Sequence, residues 1–153
     1  MVRVAPGLML RYPTPTSPAA KRMAMGNRRR DTKAEVRVRR ALHRRGLRFR
    51  VDHPVAVGLR RVVKVDIAFT RVRLAVFVDG CFWHGCAEHQ QIPKSNREYW
   101  VAKFKTNAAR DRLVDEAFAE SRWTALRVWE HVDAEAAADQ IEAEYRRLSS
   151  AQG

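Results

Sequence analysis

The sequence predicts a mixed α/β domain in which helices cover a small sheet. Three observations predict it. The stretch Val62 to Phe69 sets Val63, Val65, Ile67 and Phe69 on one face and Lys64, Asp66 and Ala68 on the other. The run Leu74 to Val78 is apolar throughout, as a buried central strand requires. Stretches with helical spacing and capping residues surround both. At 153 residues and 46% hydrophobic content, the chain suits one domain around one core.

Residues 1–18 read as a disordered leader, because Tyr12-Pro13-Thr14-Pro15-Thr16-Ser17-Pro18 is too proline-rich for helix or strand. Residues 19–30 read as a basic arm carrying Lys21, Arg22 and Arg28-Arg29-Arg30, ordered on contact with a polyanion, and residues 31–150 as the folded domain. Thr32-Lys33-Ala34-Glu35 has the form of a capping box. The helix after it puts Val38, Ala41 and Leu42 on one face and Arg37, Arg40 and Arg44 on the other, until Gly46 ends it. Leu47 to Val51 is the first expected strand. Arg60-Arg61 forms the turn before Val62 to Phe69, and Leu74 to Val78 follows. A long helix runs from Ser95 or Asn96 to about Glu120, then a strand over Thr124 to Trp129. The last helix spans Asp133 to Leu148, with Asp133 as its N-cap.

Thirty Lys and Arg against seventeen Asp and Glu give a net charge of +13, and the sequence pI is near 10.9. Such a field draws in polyanions, and nucleic acid fits it best, although ribosomal and membrane-surface proteins share this composition. No apolar run approaches the roughly eighteen residues that span a bilayer. The N-terminus lacks the pattern of a signal peptide. A cytoplasmic location is therefore expected, and there the pair Cys81 and Cys86 reads as a metal site rather than a disulfide.

Chemistry concentrates in two places. Asp66 interrupts an apolar strand beside Lys64, and a carboxylate with a neighbouring cation is what a Mg²⁺-dependent phosphodiesterase needs, although a lone strand carboxylate is commonly just solvated. Cys81, His84, Cys86, His89 and the later His131 supply zinc-type ligands. Two sets can close a tetrahedron. The local one uses His84 and is cramped; the preferred one takes Cys81, Cys86, His89 and His131 and leaves His84 free. Phe82, Trp83 and Trp100 bracket this loop, either as core or, preferred in so basic a chain, as wedges that stack against bases. On the long helix, Trp100, Phe104, Asn107 and Asp111 share one stripe, which either ends in solvated polar residues or sets Asp111 behind His84.

At these residues the chain resembles the very short patch repair endonucleases, bacterial enzymes that nick DNA beside a T:G mismatch. The resemblance covers roughly residues 20–148 and rests on Asp31-Thr32-Lys33-Ala34-Glu35, Gly46 to Val51, Val65-Asp66, Val78-Asp79-Gly80-Cys81-Phe82-Trp83-His84, Pro93, Tyr99-Trp100, Asn107, Arg110-Asp111 and Val128-Trp129-Glu130. It implies a restriction-endonuclease-like core of the PD-(D/E)XK type with a zinc-stapled loop, and Mg²⁺-dependent strand nicking. By position, Asp66 and the Val78 carbonyl would bind Mg²⁺, His84 would be the general base and Asp111 its support. Glu35 matches an acid near the family's active site, alongside its capping role. Phe82, Trp83 and Trp100 match aromatics that enter the duplex at the mismatch. Met23, with basic neighbours such as Arg22, Arg28, Arg29 and Arg30, matches a segment entering from the other groove.

The chain departs from the family at His131, where relatives have a cysteine, and at Asp79, where they can have a histidine. The proline-rich leader has no counterpart. The expected protein is a nucleoid-associated monomer acting on mismatched duplex DNA, with mismatch-repair proteins as partners. The competing expectations are a restriction-type or structure-specific nuclease on the same fold and a zinc-stapled DNA-binding module without catalysis.

Overall fold

A computed structural model describes Pro18 and residues 31–58 and 61–153. The rest of the expected leader, the basic arm with Arg22, Met23 and Arg28 to Arg30, and Arg60 lie outside the described residues.

Helix α1, Lys33–Arg44, starts where the Thr32 side chain accepts the Glu35 N–H, a cap worth roughly 1 kcal/mol. The return half of the expected capping box is displaced by one residue, since the Glu35 carboxylate accepts from the Asp31 N–H at 2.9 Å. At the other end, Gly46 N–H bonds His43 and Leu47 N–H bonds Leu42. That pairing needs the left-handed φ of +75° that Gly46 adopts.

Strand β1 spans Arg50–Val57, not the expected Leu47 to Val51. The chain runs on through Pro54, which has no N–H to donate and which an edge strand tolerates because its outward positions need join no ladder. Strand β2, Arg61–Phe69, takes Arg61 out of the expected turn. Strand β3 is Leu74–Asp79 and strand β4 Thr124–Trp129. The sheet order is β1-β2-β3-β4, antiparallel except for the parallel pair β3 and β4. Between those two come a single turn of helix, α2 at Cys81–His84, and the long α3 at Arg97–Ala119. Helix α4, Ala134–Ala151, closes the fold, and the Asp133 carboxylate accepts from Glu135 and Ala136.

Helices α1 and α4 cover one face of the sheet, where Val38, Leu42, Ile67, Phe69, Leu74, Val76 and Ile141 form the larger core. Each such side chain, fully buried, contributes roughly 1.5–3 kcal/mol. The C-terminal half of α3 covers the other face, with Phe118 packed edge-on against Phe77.

Strict alternation along β2 fails at Asp66. Val63 and Val65 pack with the α3-side cluster, whereas Ile67 and Phe69 pack on the α1/α4 side and Ala68 on the α3 side. Asp52, which the register sets opposite Asp66, has a φ of +49°. The β2–β3 ladder runs only from Ile67 to Phe69, and the Asp66 carboxylate accepts the Val78 N–H at 2.8 Å. The strand therefore changes face where its carboxylate replaces a backbone partner. Among the described residues, no helix is long and apolar enough to cross a membrane.

Candidate active site

Because β3 and β4 run parallel, both finish at one edge of the sheet, at Asp79 and Trp129. Carboxyl ends of parallel strands are where open α/β sheets place their sites. The Glu130 N–H bonds the Asp79 carbonyl at 2.9 Å, so the segments leaving the two strands stay side by side. The Glu130 carboxylate then accepts the Cys81 N–H at 2.8 Å and caps α2. Gly85 closes that turn with a φ of +75°.

On one side of this loop stands His84. Its Nδ1 lies 2.7 Å from Asp111 Oδ2, and since a carboxylate only accepts, Nδ1 donates in this bond and Nε2 takes no part in it. His84 Nε2 is 3.9 Å from Asp79 Oδ1. Asp79 is buried, and both its oxygens lie 3.0 Å from Arg127 Nη1. Arg127 also donates from Nε to Asp115 at 2.8 Å and rests over the Phe77 ring.

Electrostatics mark the same place. Burial, helped by the charges of Glu35 and Asp79, pushes the Asp66 carboxyl up to about 6 against the bond from Val78 N–H and the pull of His84. Burial also raises Asp79, although Arg127 and His84 oppose it. Negative charge from Glu35 and Asp79 thus reaches a part-buried Asp66, and a bound cation would relieve that repulsion. Glu35 is itself buried and bonded to Arg39 Nη2 at 3.1 Å. Lys64 is not part of this group; it is exposed and pairs with Asp52 at 3.4 Å.

On the far side of the loop, Cys81, Cys86, His89 and His131 bring their donor atoms within 4.8 Å of one another. Cys81 Sγ is 3.1 Å from His131 Nδ1, and Cys86 Sγ is 3.7 Å from His89 Nδ1. Two sulfurs and two imidazoles at this spacing can hold a metal ion, and His84 is turned away to Asp111. Phe82, Trp83, Trp100 and Phe104 form one aromatic cluster, with ring centroids 5.1–5.9 Å apart in the contacting pairs. Asn107 donates to the Trp83 carbonyl at 3.0 Å, so the stripe on α3 faces α2 throughout.

The family model for DNA mismatch endonuclease Vsr matches residues 16–90. The type II nicking enzyme V.NaeI of Lentzea aerocolonigenes is 43% identical over 120 residues, spanning 78% of this chain and 72% of that protein. The chain belongs to the Vsr-type endonuclease family. It is a DNA endonuclease. Two further relatives agree. The type II nicking enzyme V.XorIIP of Xanthomonas oryzae pv. oryzae is 39% identical over 116 residues, 74% of this chain and 82% of that one. The DNA mismatch endonuclease Vsr of Escherichia coli (strain K12) is 33% identical over 105 residues, 66% and 62% of the two chains.

In this Vsr-type chain the structure pairs Asp66 with the Val78 N–H and His84 with Asp111, puts Glu35 and His84 within electrostatic reach of Asp66, and gathers Cys81, Cys86, His89 and His131. Sequence reasoning missed Arg127 and the capping role of Glu130. The signal for Arg127 was an arginine inside an otherwise apolar strand, and finding its partner requires the β3–β4 register that puts Phe77 opposite Arg127.

Proposed function

We infer that this endonuclease nicks one strand of duplex DNA beside a T:G mismatch by Mg²⁺-dependent hydrolysis, the opening step of very short patch repair. The observation that carries the reading is the Asp66 carboxylate bonded to Val78 N–H and grouped with the His84–Asp111 pair.

Asp66 and the Val78 carbonyl are the groups that would hold Mg²⁺, which when bound polarises the phosphate and makes water a better nucleophile. His84 Nε2 accepts the proton of the attacking water, and Asp111 fixes the ring and stabilises the imidazolium that results. Glu35 adds negative charge beside the cation while keeping its place at the start of α1. Phe82, Trp83 and Trp100 are the groups that enter the duplex. A wobble pair opens at lower cost than a matched one, so recognition is partly a test of deformability. Cys81, Cys86, His89 and His131 hold a structural zinc that fixes the loop carrying both the aromatics and His84. The core is read as restriction-endonuclease-like, and the enzyme as a monomer working on the nucleoid alongside mismatch-repair proteins.

Nicking of a panel of mismatched duplexes, in Mg²⁺ and in EDTA, tests this reading. T:G is expected to be cut fastest and EDTA to stop cutting. A flat profile across mismatches would sink the mismatch reading.

A further inference from the structure

Helix α1 and strand β1 enclose a groove of about 410 Å³ that the reaction as described does not use. Its floor is apolar, built by Val36, Phe49 and Val51, and its rim is basic, with Arg39, Arg40 and Arg44. His43 tilts against Phe49, with ring centroids 4.7 Å apart. Two rim cations are already engaged: Arg39 with Asp31 and Glu35, and Arg44 with Glu135. Arg40 is exposed, and its side chain makes no hydrogen bond or ion pair with another described residue. Arg48 and Arg50, also exposed, flank Phe49.

Along the backbone the groove lies close to Glu35 and Asp66. Val36 follows Glu35 on α1, and Val51 pairs across the sheet with Ile67, the neighbour of Asp66. An apolar floor under a basic rim matches a sugar-phosphate strand, whose deoxyribose carbons pack on aliphatic and aromatic surface while its phosphates take arginine. An acidic partner protein would find the same charges, but nearness to Asp66 in an endonuclease of this family favours a DNA strand. On α4, by contrast, Arg146 and Arg147 pair with Glu142 and Glu144.

We propose that the α1–β1 groove is a DNA-backbone subsite that holds the sugar-phosphate strand leaving the active site, with Arg40 as its phosphate ligand. The proposal rests on the placement of the scissile phosphate at Asp66, and it concerns affinity and reach rather than chemistry.

The test titrates the full chain in an Asp66→Asn background against a long T:G duplex and a long matched duplex over a range of salt. Adding Arg40→Gln is expected to weaken binding about three- to tenfold and to reduce the salt slope by about one, as for one lost phosphate contact. Arg146→Gln, an exposed change on α4, is expected to do neither. Shortening the duplex stepwise from each end should abolish the Arg40 effect once one particular end no longer reaches the groove. An unchanged affinity and slope overturns the proposal, and so does an Arg40 effect that persists on every shortened duplex, which would make it long-range charge alone. A change in self-association with unaltered DNA binding overturns it too, by giving the groove to a second copy of the chain. Wild-type nicking, measured separately, reports on the active-site reading whatever Arg40 does.

Discussion

Burial holds the Asp66 carboxyl near pH 6, so between the ordinary carboxylate range and that value the folded protein keeps a proton the unfolded chain has released. The sign follows: stability from this group is present at acid pH and is lost as pH rises through about 6. Asp66→Asn keeps an acceptor for the Val78 N–H and removes the charge. In urea unfolding without metal, the variant is expected to exceed wild type by roughly 1–3 kcal/mol above about pH 6, with the gap closing below about pH 4. Its nicking should fall below detection, which separates a functional cost from a structural one. Asp111→Ala leaves His84 without its Nδ1 partner, and single-turnover nicking is expected to slow about 100-fold with little change in duplex affinity. The stripe of Trp100, Phe104, Asn107 and Asp111 was legible from helical spacing, while its pairing with His84 stood as one of two readings and as what the family resemblance implied. The Asp79–Arg127 pair was not legible. It depends on which residues of β3 and β4 stand side by side, and periodicity within one strand carries no register between two.

Helices α1 and α4 are joined at their surface by Arg45, which bonds Glu135, Asp139 and Glu142. Arg45 and Arg44 hold the Glu135 carboxyl below its usual range, and Arg146 with Arg45 does the same for Glu142. Stability from lowered carboxylates is present above their usual range and disappears as pH falls through their folded values. Arg45→Ala is therefore expected to lower Tm by a few degrees near neutral pH, with the difference shrinking in acid and in high salt. The loop between β3 and α3 calls for a different measurement. If a structural zinc holds it, His131→Ala should bring zinc content well below one per chain while His131→Cys retains it. Unchanged zinc in His131→Ala would remove His131 from the ligand set. Most elements could be read from the chain because caps and apolar runs are local. Strand β1 could not, since Pro54 signals a break and only its position at the sheet edge lets the strand continue. Nor could the change of face at Asp66, which is set by a bond from another strand.

Over the whole molecule, the +13 charge is unevenly used. The carboxylates of α4 are taken up by Arg44, Arg45, Arg146 and Arg147, whereas exposed cations such as Arg37, Arg40 and Arg48 on the α1–β1 side make no ion pair among the described residues. Duplex binding is thus expected to weaken steeply with salt for matched and mismatched DNA alike, so discrimination between them should survive changes in salt that alter affinity for both. The charge predicted a polyanion partner, and it is the family match, not the charge, that separates a nuclease from a binding module. The most direct measurement is strand-resolved nicking, in Mg²⁺, of a T:G duplex and its matched counterpart by wild-type protein and Asp66→Asn. Wild type is expected to cut one strand of the mismatched duplex at least roughly tenfold faster than the matched one, and Asp66→Asn to cut neither. Equal cutting of the two duplexes, cleavage of both strands, or wild-type rates from Asp66→Asn would contradict the account.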